Sequence, residues 1–236
     1  VPVALLPEVV PAGQTIGLLT AEHCRRWGFA PHTRVVSGTT DSTASFIATG
    51  AGPAEAVTAL GSTLVLKIHA DQPVFVPALG IYSHRLGDRW LVGGASNAGG
   101  AVLQQYFSSE EIDRYTARLQ PGRPTGLDYY PLPAPGERFP VNDPELAPRL
   151  APRPADDAVF FQGILEGITA IEARGYRVLA AHGAPEPARI YTTGGGAGNA
   201  AWTRMREHAL GVPVLAAEHQ EAAYGTALLA MRSTIT

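Results

Sequence analysis

Two periods of apolar residues organise this chain. Short apolar runs at 56–60 and 63–68 flank Gly61-Ser62, the pattern of a β-hairpin. Runs at 80–86 and 89–92 around Gly87-Asp88 predict a second hairpin. From 156 to 181 the period lengthens. Phe160, Ile164, Ile168, Ile171 and Val178 recur three, four or seven residues apart, which predicts a helix with one buried stripe. Gly163, Gly167 and Gly175 inside it either weaken that helix or mark close packing. Elsewhere the pattern predicts a short buried strand at 34–38, a tightly packed helix at 42–50 and helices at 97–107 and 109–119. The chain ends on a strand at 189–193, a helix at 197–210, a strand at 213–215 and a helix at 218–231. Prolines crowd 120–154 without periodicity, so that stretch reads as a long packed loop. Residues 1–32, with four prolines around a helical patch at 21–28, read as an extended connector rather than the opening strand of a domain. Hairpins first and alternating strands and helices last predict a mixed α/β fold.

Composition narrows the function classes. The chain has 236 residues, 45% hydrophobic, enough for a sizeable core. A net charge of −3 with no basic stripe argues against a nucleic-acid partner, and no apolar run is long enough for a membrane helix. The single cysteine, Cys24, rules out an internal disulfide framework and a cysteine-based zinc site and fits a reducing, cytoplasmic compartment. The seven histidines show no metal-ligand spacing.

Candidate chemistry sits on glycine-rich turns at strand ends. In Gly38-Thr39-Thr40-Asp41-Ser42, the carboxylate of Asp41 is either a helix N-cap or a general base at the mouth of a cleft. Leu60-Gly61-Ser62-Thr63 is either an ordinary hairpin turn or a cradle whose N–H groups and hydroxyls hold a phosphate. Gly194-Gly195-Gly196-Ala197-Gly198-Asn199 follows a strand and opens a helix, so it suits packing or an anion or polar heterocycle. Neither the dinucleotide fingerprint nor the P-loop spacing occurs, and Ser96 in Gly93–Gly100 lacks a nucleophile elbow.

In order, these turns resemble the second half of an FGGY-family carbohydrate kinase, a two-lobed ATPase of the actin/hexokinase-like, ribonuclease H-like fold. The matching segments are GTTDS (38–42), LGST (60–63), GGASNAGG (93–100), GLDYYPLPAPGERFP (126–140), GGGAGN (194–199) and EAAYGTALLA (221–230). The wording is most similar to the ribulose/xylulose kinase branch of cyanobacteria and plants. The resemblance implies ATP and Mg²⁺ as cofactors and a ketopentose as substrate, D-ribulose first and D-xylulose next. It implies that Asp41 is the catalytic base and contacts the sugar. It assigns ATP contacts to Gly61, Ser62, Thr63, Gly100, Gln104, Gly195, Gly196 and Asn199. Trp202 stands either in the core or as a wall of the adenine pocket. The family's first phosphate motif, Asp-x-Gly-Thr, is absent from the sequence. Residues 1–32 are then a connector from a missing N-terminal lobe and 33–236 the C-terminal ATP-binding lobe, inactive alone. A nucleotide-binding or regulatory module without transfer activity, and a structural domain whose turns merely pack, are the competing expectations.

Overall fold

The computed structural model describes residues 2–232. In chain order the first elements are β1 (Thr15–Leu18), α1 (Ala21–Trp27), β2 (Arg34–Val36), α2 (Asp41–Ala48), β3 (Glu55–Leu60), β4 (Leu64–Ala70), β5 (Tyr82–Leu86) and β6 (Arg89–Ser96). They are followed by α3 (Gly100–Tyr106), α4 (Ser109–Thr116), α5 (Asp157–Ala181), β7 (Arg189–Thr193), α6 (Ala200–Leu210), β8 (Val214–Ala216) and α7 (Ala222–Arg232). Two compact units emerge. One takes the residues up to Gly50, 86–88 and those from His219 on; the other takes the rest.

In the first unit the lead-in is more ordered than its prolines predict. Strand β1 pairs antiparallel with β2. Helix α1 is capped by Thr20, whose side chain accepts from the His23 N–H, and closes on the left-handed Gly28. Strand β2, expected to be buried, is largely exposed; an apolar run predicts extended backbone, but a two-stranded ribbon gives it no second layer to hide under. Helix α2 does pack tightly, burying Ala44, Phe46, Ile47 and Ala48. It meets α7 at Gly225, where a Cβ would lie 1.8 Å from the carbonyl oxygen of Ala44.

The second unit is built on a six-stranded sheet in the order β5-β6-β4-β3-β7-β8. Pairs β3–β4 and β4–β6 are antiparallel, while β3–β7 and β7–β8 are parallel, so the sheet is mixed as expected. Both expected hairpins are present. Helix α5 carries Ile164, Leu165, Ile168 and Ile171 into the core. Its glycines mark close packing: a Cβ on Gly175 would come within 2.5 Å of Leu66, and one on Gly167 within 2.8 Å of Pro131. The 120–154 stretch forms no helix or strand, yet Tyr129, Leu132 and Phe139 from it are buried. Glu137 anchors it, accepting from the Ser96 hydroxyl (2.6 Å) and the Asn97 N–H (2.7 Å), which gives Gly93–Gly100 a structural task. Among the described residues, no helix is long and apolar enough to cross a membrane.

Candidate functional site

Strands β3 and β7 run parallel and in register, with Ala59 opposite Thr193. Their C-terminal ends therefore carry the turns at 61–63 and 194–198 side by side, the usual place for a ligand crevice in an α/β sheet. Below the turns a buried polar network fixes this alignment. Arg206 of α6 donates to both carboxylate oxygens of Glu172 on α5 (2.7 and 2.6 Å) and to the Thr192 hydroxyl (2.7 Å). Thr58 of β3 donates to Glu172 (2.6 Å) and lies 2.8 Å from the Tyr176 hydroxyl. Arg206 and Glu172 are both fully buried. Burial, reinforced by the Glu172 charge, pushes the Tyr176 phenol well above its ordinary value.

The hairpin turn is pinned to the head of α3. The carbonyls of Gly61 and Ser62 accept from the N–H groups of Gly100 (2.8 Å) and Ala101 (3.2 Å). Only a residue without a side chain fits this approach at Gly99, where a Cβ would stand 2.6 Å from the Ser62 oxygen. The first N–H groups of α3 are thus satisfied by the hairpin itself.

The second turn separates its glycines into two kinds. Gly194, at φ +82°, would drive a Cβ to 2.6 Å from the Leu60 oxygen. Gly196 would collide with Leu60 (2.7 Å) and the Trp202 ring (3.0 Å). Packing explains both. Gly195 and Gly198 face open space, with nothing within 4 Å of an added Cβ. Residues Gly195–Gly198 form a 3-10 turn, so α6 starts at Ala200 and not at 197 as the sequence predicted. Glycine is too poor a helix former to extend the helix backward, and Asn199 supplies the stop by capping α6. Its Oδ1 accepts from the Trp202 N–H (2.9 Å) and its Nδ2 donates to Thr116 Oγ1 (3.3 Å). Trp202 is a core residue that also reaches a cavity. It is buried, with Nε1 donating to Thr169 Oγ1 (2.9 Å), and it borders the cleft.

Between the turns opens a cleft of about 450 Å³. Gly61, Ser62, Gly100, Gln104, Gly195, Gly196, Asn199 and Trp202 all line it. Thr63 does not; its carbonyl accepts from the Gly61 N–H (3.1 Å) and shapes the turn from behind. Asp41 belongs to the other unit. There Thr40, not Asp41, occupies the cap position of α2; Asp41 is the first helical residue, exposed, with Oδ1 accepting from the Ser42 N–H (2.6 Å). Sequence reasoning missed the wall that α4 supplies through Ile112, Asp113 and Thr116, and the floor made by Phe161 and Leu165. The three-residue step from Asp113 to Thr116 puts both on one helix face, but what that face meets is written nowhere locally. Among the described residues no lysine or arginine lines the cleft. It offers backbone N–H groups, hydroxyls, amides, the Asp113 carboxylate and an apolar floor, which suits an uncharged ring system joined to an anion whose charge is balanced by a cation brought with it. Among the described residues no cluster of three His, Cys, Asp or Glu could hold a metal.

A sequence profile of the FGGY family of carbohydrate kinases, C-terminal domain, matches residues 56–234. The chain belongs to that family. A curated relative, the gluconokinase of Bacillus subtilis (strain 168), is 28% identical over 160 residues, 60% of this chain and 31% of the relative. Among solved structures, a xyloylose kinase from Brucella ovis superposes with a TM-score of 0.86 at 24% identity, covering 97% of this chain and 49% of that one. A ligand-bound xylulose kinase from Lactobacillus acidophilus gives 0.85 at 19% identity, with 99% and 50% covered. The FGGY chain described here thus spans about a third to a half of the length of these relatives. Its fold is that of the actin/hexokinase-like sugar kinases, a mixed sheet with flanking helices.

Proposed function

We propose that this chain is the ATP-holding lobe, residues 33–236 preceded by a connector at 1–32, of a cytoplasmic kinase that phosphorylates a ketopentose. D-ribulose is the first candidate, on the resemblance to the ribulose/xylulose branch, and D-xylulose the second. The observation that carries the reading is the convergence on one cleft of residues drawn from three separate glycine-rich segments. Ser62 and the neighbouring Thr63 cradle phosphate oxygens through backbone N–H groups and hydroxyls, and Gly61, without a side chain, lets the phosphate approach the turn. Gly100 and Gln104 extend that contact towards the ribose. Gly195, Gly196 and Asn199 seat the adenosine, and Trp202 backs the base.

Phosphoryl transfer asks the protein for positioning and charge stabilisation more than for covalent chemistry. Asp41 takes the proton from the attacking sugar hydroxyl; its carboxylate is exposed and only Oδ1 is engaged among the described residues. Among the described residues no group of three His, Cys, Asp or Glu could hold a metal, so a Mg²⁺ would arrive on the nucleotide, near Asp113, the acidic side chain of the cleft lining. When bound, that ion would supply positive charge that offsets the charge of the transferring phosphate. The sugar site draws on a further lobe bearing Asp-x-Gly-Thr.

A coupled ADP-release assay tests this on the chain alone and on an enzyme that also carries such a lobe. The chain alone shows no turnover, since only one wall of the reaction site is present. The two-lobed enzyme turns over D-ribulose at about 1 per second or more, the range of kinases. Turnover of D-ribulose by the chain alone at that rate would overturn the two-lobe reading, and a preference for gluconate or glycerol would overturn the ketopentose.

A further inference from the structure

A second cavity, of about 580 Å³, is lined by residues of α5 and α6 and by the loop at 121–129. Nothing in the proposed kinase reaction uses it. Its volume falls within the range of small-molecule sites, and its lining is mainly apolar with a few polar groups, as such sites require. Two of its acidic residues are already engaged. Glu166 accepts from the N–H (3.0 Å) and hydroxyl of Thr125 and from Gln162 (2.9 Å), and Asp128 pairs with Arg149 (2.7 Å). Arg204 and His208 are different. They stand four residues apart on one face of α6, both line the cavity, and neither side chain has a hydrogen-bond or ion-pair partner among the described residues. An apolar chamber with an unengaged guanidinium and imidazole at its wall is complementary to a small amphipathic anion.

The cavity also touches the cleft through one hydrogen bond. Thr169 lines the cavity, and its Oγ1 accepts from Nε1 of Trp202, whose ring lines the cleft. Met205, on the next turn of α6, lines the cavity too and is buried beside Trp202 in the same core. We propose that this cavity binds a small molecule with an apolar body and a carboxylate or phosphate group, and that its occupancy is transmitted to the cleft through Thr169 and Trp202. A ligand that shifts Thr169 or Met205 must re-seat the indole, so the two sites share a coupling free energy.

Phenyl phosphate is the probe, with benzyl alcohol as its uncharged counterpart. The chain holds 2 methionines and 3 tryptophans, so the Met205 methyl and the Trp202 indole N–H are readily followed by NMR. Phenyl phosphate is expected to shift the Met205 methyl saturably. Arg204→Ala weakens that binding about tenfold, the loss of one charge-assisted hydrogen bond; benzyl alcohol binds more weakly by a similar factor. With ADP added to fill the cleft, the Trp202 indole moves on the same isotherm as Met205. Thr169→Val leaves the Met205 response and removes the Trp202 response. The site is overturned by an unmoved Met205, by binding indifferent to Arg204→Ala, or by equal binding of benzyl alcohol. The coupling is overturned by a Trp202 resonance that ignores a saturated cavity. The Met205 measurement needs no nucleotide, so failure of the ATP reading would leave it readable.

Discussion

Replacing Arg206 by methionine probes the network that aligns the two glycine turns. The substitution keeps most of the volume and removes three hydrogen bonds, two to Glu172 and one to Thr192. Glu172, fully buried, is left with its charge and only the Thr58 hydroxyl. Breaking a buried pair on one side typically costs about 3–5 kcal/mol, because the remaining charge has lost its compensation. Against a total stability of about 5–15 kcal/mol that is a large share, and it corresponds to a fall in Tm of about 10 °C. Adding Glu172→Leu removes the stranded charge, so the double variant should recover most of the loss. Urea denaturation followed by circular dichroism, with the Trp202 indole resonance as a local reporter, measures all three proteins. A loss below about 1 kcal/mol for Arg206→Met, or a double variant no more stable than the single one, would refute the reasoning.

Three further outcomes are expected. In the two-lobed enzyme Asp41→Asn lowers kcat by about 10²–10⁴-fold with nucleotide affinity unchanged, since Asn can still accept from the Ser42 N–H; a stable variant keeping more than about a tenth of kcat contradicts the base assignment. Asn199→Ala strips the partners of the Trp202 N–H and Thr116, costing about 1 kcal/mol of stability as a lost cap and weakening ADP binding by about 1–3 kcal/mol; calorimetry showing unchanged affinity removes Asn199 from the site. Tyr176 stays protonated in the folded chain above pH 10.0, where the unfolded chain loses that proton, so stability falls as pH rises past that value; Tyr176→Phe should flatten the slope, and an unchanged slope would show that the phenol is not held up.

The sequence made the turns legible because their chemistry is local. Glycines and hydroxyls at strand ends announce a backbone approaching something closely, and Gly61, Gly100, Gly195 and Asn199 do meet at one cleft. The division of labour within the glycine run was not legible. That Gly194 and Gly196 serve packing while Gly195 and Gly198 face open space depends on Leu60 and Trp202, which only folding brings there. The same holds for the Arg206–Glu172 pair, 34 residues apart, and for the α4 wall, whose Thr116 is selected by its contact with Asn199 across 83 residues. Hydrophobic periodicity located α5 closely. It misjudged β2, because an apolar run encodes strand backbone and not the layer that would cover it.

ADP binding to the 236-residue chain and to its Gly195→Ala variant decides whether the cleft between the glycine turns holds the nucleotide. A methyl group at Gly195 meets no protein atom within 4 Å, so the variant should melt with the parent. It would, however, project from the turn that lines the cleft. The parent is expected to bind ADP weakly and saturably, with the Trp202 indole N–H shifting on titration, and the equally stable variant to show a clear loss of affinity. No saturable binding by the parent, or equal ADP affinity in the two proteins, would contradict the assignment of this cleft to the nucleotide.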